Sequence, residues 1–124
     1  MLVPQLYLDG LCYEAIELYK KAFKTDTDSM MFDPEKESEK QVIHAEMHIL
    51  GSRIMFSDYK GSRKASADST MEIVAMFENE EELRRAYHML SEGSETIVPI
   101  GPTFYTSCLV SFVDKFGVRW CFMI

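Results

Sequence analysis

One order of local patterns runs through this chain twice, and that duplication constrains the fold more than any single residue does. In the first half, Val3 to Leu8 is β-prone and ends at the turn signal Asp9-Gly10. Cys12, Ala15, Ile16, Tyr19, Ala22 and Phe23 then recur at helical spacing. Glu14 and Glu17 come early on this helix and Lys20, Lys21 and Lys24 late, as the helix dipole favours. Thr25 to Phe32 reads as a short strand, and Asp33 to Lys40, with Pro34, as a charged loop. Gln41 to Ile49 alternates: Ile43, Ala45, Met47 and Ile49 share one face, and His44, Glu46 and His48 the other. Leu50-Gly51-Ser52-Arg53 reads as a hairpin turn and Arg53 to Asp58 as the returning strand.

The second half repeats this order. Thr70 to Phe77 reads as a strand. Asn79, with Glu82 three residues on, caps a helix whose apolar stripe is Leu83, Ala86, Tyr87 and Leu90, and Gly93 stops it. Glu95 to Ile100, Phe104 to Val113 and Val118 to Met123 follow as strands, separated by Gly101-Pro102 and by Asp114-Lys115-Phe116-Gly117. Asp58 and Asp114, at strand ends, read as turn and capping residues. The expectation is an α+β fold of two paired βαβββ modules, each sheet backed by its helix. Module one covers about 1–60 and module two about 70–124, joined by a polar linker at about 60–69 within one domain of 124 residues. Neither module alone is large enough to bury much core.

Charge and cysteine usage narrow the function classes. Thirteen Lys and Arg against 20 Asp and Glu give a net charge of −7, which argues against nucleic acid as a partner. No apolar run approaches the roughly 20 residues of a membrane span. The opening Met1-Leu2-Val3-Pro4-Gln5 lacks the basic start and apolar core of a signal peptide, so a cytoplasmic setting is expected. Cys12, Cys108 and Cys121 are odd in number and form no CxxC pair; three small buried thiols are the simplest reading.

Five segments, in order, carry a resemblance: Leu8-Asp9-Gly10, Glu14-Ala15-Ile16-Glu17-Leu18-Tyr19, His44-Ala45-Glu46, Met55-Phe56-Ser57-Asp58 and the closing Asp114-Lys115-Phe116-Gly117-Val118-Arg119-Trp120. Together they resemble the PhnB-like branch of the vicinal oxygen chelate superfamily, which includes glyoxalases, extradiol dioxygenases and bleomycin-resistance proteins. The resemblance implies βαβββ modules whose sheets curl into a half-barrel, with helices on the convex side, a ligand cleft on the concave side, and a homodimer. Some PhnB-like proteins carry the label demethylubiquinone methyltransferase. This chain has no glycine-rich loop after a strand to cradle a nucleotide-like cofactor, and no cofactor is expected.

Enzymes of the superfamily hold a divalent metal with His, Gln or Glu from the first and last strands of each module. Matched to that pattern, the four positions fall near Pro4, Met55, Glu72 and Cys121, with Gln5 one residue from the first. Pro4 and Met55 supply neither a hard oxygen nor an imidazole, and Cys121 suits zinc but not this role. The tetrad does not assemble, so no metal is expected at the usual place. His44 and His48 on one strand are about 13 Å apart and cannot share an ion.

Other residues remain as ligand contacts. The stripe of His44, Glu46 and His48 faces either solvent, the cleft or a dimer partner; in the cleft, His44 beside Glu46 is a candidate proton-transfer pair. Phe104, Tyr105 and Trp120 are candidates for an aromatic wall. Arg53 and Arg119 alternate onto the same side as Met55 and Cys121 and are candidates for gripping an anionic group. The leading functional expectation is a small organic molecule bound in the cleft without the metal tetrad. The alternative is a metal-dependent or His/Glu-assisted lyase, isomerase or dioxygenase. A third reading is a structural or regulatory homodimer whose cleft is filled by Leu6, Leu8, Val74 and Met76.

Overall fold

The computed structural model describes residues 1–59 and 68–124, so most of the expected linker at about 60–69 lies outside the described residues. The chain forms two compact units, Met1–Arg63 and Lys64–Ile124. The first contains β1 (Gln5–Tyr7), α1 (Cys12–Ala22), β2 (Thr27–Phe32), β3 (Val42–Ile49) and β4 (Ser52–Ser57). The second contains β5 (Ile73–Met76), α2 (Glu80–Leu90), β6 (Glu95–Gly101), β7 (Leu109–Val113) and β8 (Arg119–Met123). Their sheets are topologically identical: order β1-β4-β3-β2 in one and β5-β8-β7-β6 in the other. In each, the first strand lies parallel beside the last, while the remaining pairs are antiparallel. The expected α+β class and the repeated βαβββ order are both present.

Each helix buries one stripe against its own sheet. Cys12, Ala15, Ile16, Tyr19 and Ala22 are the buried residues of α1, and the Tyr19 and Phe56 rings lie 6.2 Å apart. Alternation places Ala45, Met47, Ile54 and Phe56 on that side of the sheet, all buried. In the second unit Leu83, Ala86 and Leu90 are buried on α2, and Tyr87 meets Phe112 edge-on at 5.0 Å. Phe112, Trp120 and Phe122 form the helix-side layer of that sheet. Burying each such large side chain contributes about 2 kcal/mol.

The local signals act as expected at several ends. Asn79 caps α2 by accepting the Glu82 N–H at 2.9 Å. Leu50 and Gly51 both have positive φ, at 49° and 86°, and link Ile49 to its partner Ser52 in the two-residue turn that matches strand twist. Asp114 Oδ1 accepts the N–H groups of Phe116 and Val118 at 2.9 and 3.0 Å, so the aspartate organises its turn.

Three expectations are corrected. The charged segment after β2 is not a plain loop: Pro34–Glu39 forms 3₁₀ turns, capped where Asp33 accepts the Glu35 N–H at 2.9 Å. Ile43 is not a core residue; it is 37% exposed, whereas Val42 is fully buried. The reason is a register shift: Met31 pairs with His44 but Phe32 pairs with Val42, so Ile43 is the extra residue of a bulge that inverts the alternation. Finally, β7 begins at Leu109, so Phe104 and Tyr105 lie in the loop before it.

Candidate functional site

The residues singled out for chemistry fall mainly on the sheet faces turned away from the helices. In the first unit the pleat puts Gln5 and Tyr7 of β1, Arg53 and Met55 of β4, and His44, Glu46 and His48 of β3 on that side. Register sets Gln5 beside Met55, Met55 beside Glu46, and Arg53 beside His48. Arg53 reaches diagonally to ion-pair with Glu46, and His44 Nε2 lies 3.5 Å from the same Glu46 oxygen. Chiefly the Arg53 guanidinium, with help from His44, holds the Glu46 carboxyl below the usual range. His48 instead bonds Asp28 on β2 through Nδ1. The two histidines therefore belong to separate acid–imidazole pairs, as the strand spacing implies.

In the second unit the corresponding face carries Val74 and Met76 of β5, Arg119, Cys121 and Met123 of β8, and Ser111 of β7. Glu72, just before β5, accepts from Arg119 Nε at 3.0 Å and from the Ser111 hydroxyl at 2.9 Å. Arg119 Nη1 also donates to the Ser69 carbonyl at 2.6 Å. Val74, not Glu72, is the register partner of Cys121. Burial first, and the nearby Glu72 charge second, push the Cys121 thiol up to about 11. Val74 and Met76 are 49% and 55% exposed.

Trp120 does not join Phe104 and Tyr105 in an aromatic wall. Trp120 is fully buried on the helix side, and its indole N–H donates to Asp114 Oδ2 at 2.9 Å. Phe104 is 99% exposed and stacks edge-on with Tyr105 at 4.9 Å. Their loop is fixed by Thr103, whose Oγ1 accepts the N–H groups of Tyr105 and Thr106 at 3.3 and 3.1 Å. Nor do the four apolar residues of the filled-cleft reading share one kind of face. Leu6 pairs with Phe56 on the helix side of its sheet, whereas Val74 and Met76 lie on the helix-free side of theirs.

Do the residues fit the superfamily's metal? The Pro4 carbonyl accepts the Met55 N–H at 3.0 Å, which makes Gln5 the outward neighbour of the Met55 thioether. Glu72 is held by Arg119 and Ser111, and Cys121 is a protonated thiol near neutral pH. Among the described residues no three His, Cys, Asp or Glu side chains gather as an ion site. The residues do not fit the metal at the expected positions.

Asp28, Ser69, Ser111 and Tyr7 are site neighbours that the sequence reading missed. Ser111 and Tyr7 follow from simple alternation once the strands are paired. Asp28 does not, because it is the extra residue where Thr27 pairs with Met47 and Ser29 with Glu46.

No family model and no curated protein sequence matches the chain. Solved structures do. A PhnB protein from Bacillus cereus superposes with a TM-score of 0.84 at 24% identity, covering 98% of this chain and 97% of that one. A protein from Pseudomonas aeruginosa gives 0.84 at 26% identity, over 99% and 96%. A glyoxalase family protein from Enterococcus faecalis gives 0.60 at 16% identity, over 99% and 94%. Among the described residues no helix is long and apolar enough to cross a membrane.

Proposed function

We propose that this chain, whose fold is that of the vicinal oxygen chelate, glyoxalase-like superfamily, binds a small organic molecule over the helix-free face of its second sheet and does so without the usual metal. The observation that carries this reading is the second sheet's face. Half-exposed Val74 and Met76 stand there beside a Glu72–Arg119–Ser111 cluster that is already hydrogen-bonded. Apolar surface with a few fixed polar groups is what an organic ligand needs. Among the expected metal positions, Glu72 alone supplies a carboxylate, and its Oε2 is engaged. Cys121, on the same face, is the further contact this reading assigns, and a homodimer is its expected assembly.

Thermal-shift screening of a diverse library of aromatic and heterocyclic compounds, with and without a chelator, tests the reading. Saturable binders unaffected by the chelator and weakened by Met76→Glu are expected. A library without binders, or binding that appears only after a divalent metal is added, overturns it.

A second reading rests on the 3.5 Å approach of His44 to Glu46. A carboxylate within reach of an imidazole can serve a proton transfer. Turnover with a bell-shaped pH–rate profile that His44→Gln abolishes would establish this reading, and unchanged turnover in that variant would exclude it.

A further inference from the structure

We infer that an uncharged apolar strip of the second unit, made by Val98, Pro99, Pro102, Phe104 and Tyr105, is the surface through which two copies of this chain pair. The inference rests on the homodimer expected in the reading above and names its contact.

The strip stands out by its charge. From Thr96 to Val113 the sequence has no Asp, Glu, Lys or Arg, in a chain that is 27% charged. Its exposed members are apolar: Phe104 is 99%, Tyr105 61% and Val98 41% exposed, and Pro99 and Pro102 are exposed as well. Glu80 and Arg84 of α2 lie close enough to Cys108 to act on its thiol, but they pair with each other at 3.2 Å and bring no net charge. β6 is the outer strand of its sheet. The matching outer strand of the first unit, β2, also exposes an apolar residue, Met31, but it carries Asp28, with Asp26 just before it.

That contrast selects the partner. Each copy carries −7, so two copies repel one another over most approaches. They meet at least cost, and gain most from burial, where neither brings a charge. A two-fold axis sets one patch against itself, and an uncharged apolar strip is its own complement. A basic partner would instead seek the acidic surface. The loop is also fixed in advance. Thr103 Oγ1 accepts the Tyr105 and Thr106 N–H groups, and Thr106 Oγ1 donates to the Ile124 carbonyl at 2.9 Å. Phe104 is thus displayed before any partner arrives, which lowers the ordering cost of association. Side chains rather than a continued sheet make the contact. Pro99 has no N–H to give across that edge, and the register of β6 slips on both sides of Val98. A strip of about 12 residues is shorter than the roughly 20–30 per side of a standard interface, so a micromolar dimer is expected.

Sedimentation velocity of the full chain from about 1 μM to about 1 mM, at low and high salt, tests this. A monomer–dimer equilibrium in the micromolar range is expected, tightening as salt screens the like charges. Phe104→Glu and Val98→Glu, each checked for an unchanged far-ultraviolet spectrum, should weaken it at least about thirtyfold; if one variant fails to fold, the other decides. Met31→Glu, which adds the same charge to the other outer strand, should leave it unchanged. A dimer that survives the strip variants, that Met31→Glu weakens as much, or that loosens as salt rises is held elsewhere; each of these overturns the inference and leaves the expected homodimer standing. A chain that stays monomeric throughout overturns both. The small-molecule reading is decided separately, by the compound screen and Met76→Glu.

Discussion

Asp58 accepts the backbone N–H of Cys12 at 2.9 Å across 46 residues of sequence and thereby caps a helix to which it does not belong. The position before α1 is Leu11, whose side chain offers no acceptor. Asp58 Oδ1 takes the Gly10 and Cys12 amides, and Oδ2 takes the Val42 amide at 2.8 Å. One buried carboxylate at the end of β4 thus fixes the β1–α1 turn, the start of α1 and the start of β3. Its negative charge also sits at the positive end of the α1 dipole.

Replacing Asp58 by Ala leaves those three N–H groups without their acceptor. The expected cost is about 3 kcal/mol, because hydrogen bonds to a charged group are among the stronger ones and buried donors are expensive to leave unmet. Asp58→Asn, which keeps one oxygen, should cost about half as much. Urea midpoints of the three proteins check the order; an alanine variant as stable as wild type would contradict the capping role.

Much of this fold was legible from side-chain periodicity. The stripes of α1 and α2, the Asn79 cap and the Leu50-Gly51 turn all follow from residues a few positions apart. What escaped depends on a partner strand. The bulge at Ile43 exchanges core and surface between Val42 and Ile43, and nothing in the local run of Gln41 to Ile49 encodes where β2 slips. The same holds for Asp28, whose pairing with His48 exists only because of the second slip. Phe104 and Tyr105 have strand-like character, but the hydrogen bonds of Thr103 hold them in a loop. In the candidate site, the outward placement of Arg53, Met55, Arg119 and Cys121 was readable by counting in twos. That each arginine is already claimed by a glutamate was not, since it depends on diagonal reach between strands and on Glu72 lying ahead of β5.

Leu50 is a residue whose identity conflicts with its backbone. It sits at φ 49°, in the left-handed region, with its side chain substantially exposed. A leucine there gains little burial and pays about 1 kcal/mol of steric cost that asparagine largely avoids. Leu50→Asn should therefore raise stability by about 0.5–1 kcal/mol, read as a higher melting temperature with an unchanged far-ultraviolet spectrum. A lower melting temperature would mean that Leu50 makes a packing contribution larger than the turn strain.

All three cysteines should be unreactive in the folded chain. Each is buried. Burial pushes the Cys121 thiol up to about 11 and raises Cys108, and burial together with the Asp58 charge raises Cys12 further. The thiolate is the nucleophile, so a thiol-specific reagent near neutral pH should find almost none. Rapid labelling of three thiols is expected only after denaturation, and fast labelling of Cys121 in the native state would refute its buried, protonated placement.

The Arg53–Glu46 pair should make a pH-dependent contribution of definite sign. Arg53 holds the Glu46 carboxyl below its ordinary value of 4.5. A group whose folded pKa is depressed contributes stability above its unfolded pKa and loses it as the pH falls through the folded one. The contribution is therefore complete near neutral pH and fades below about pH 4.5. Arg53→Ala removes the main cause, so the Glu46 carboxyl should titrate closer to 4.5 when followed by carbon-detected nuclear magnetic resonance. Urea midpoints of wild type and variant should differ near neutral pH and converge in acid. A Glu46 titration unmoved by the substitution would show that His44 or the surrounding backbone, and not Arg53, sets the carboxylate's charge, and the reading of Arg53 as a neutralised cation would fall with it.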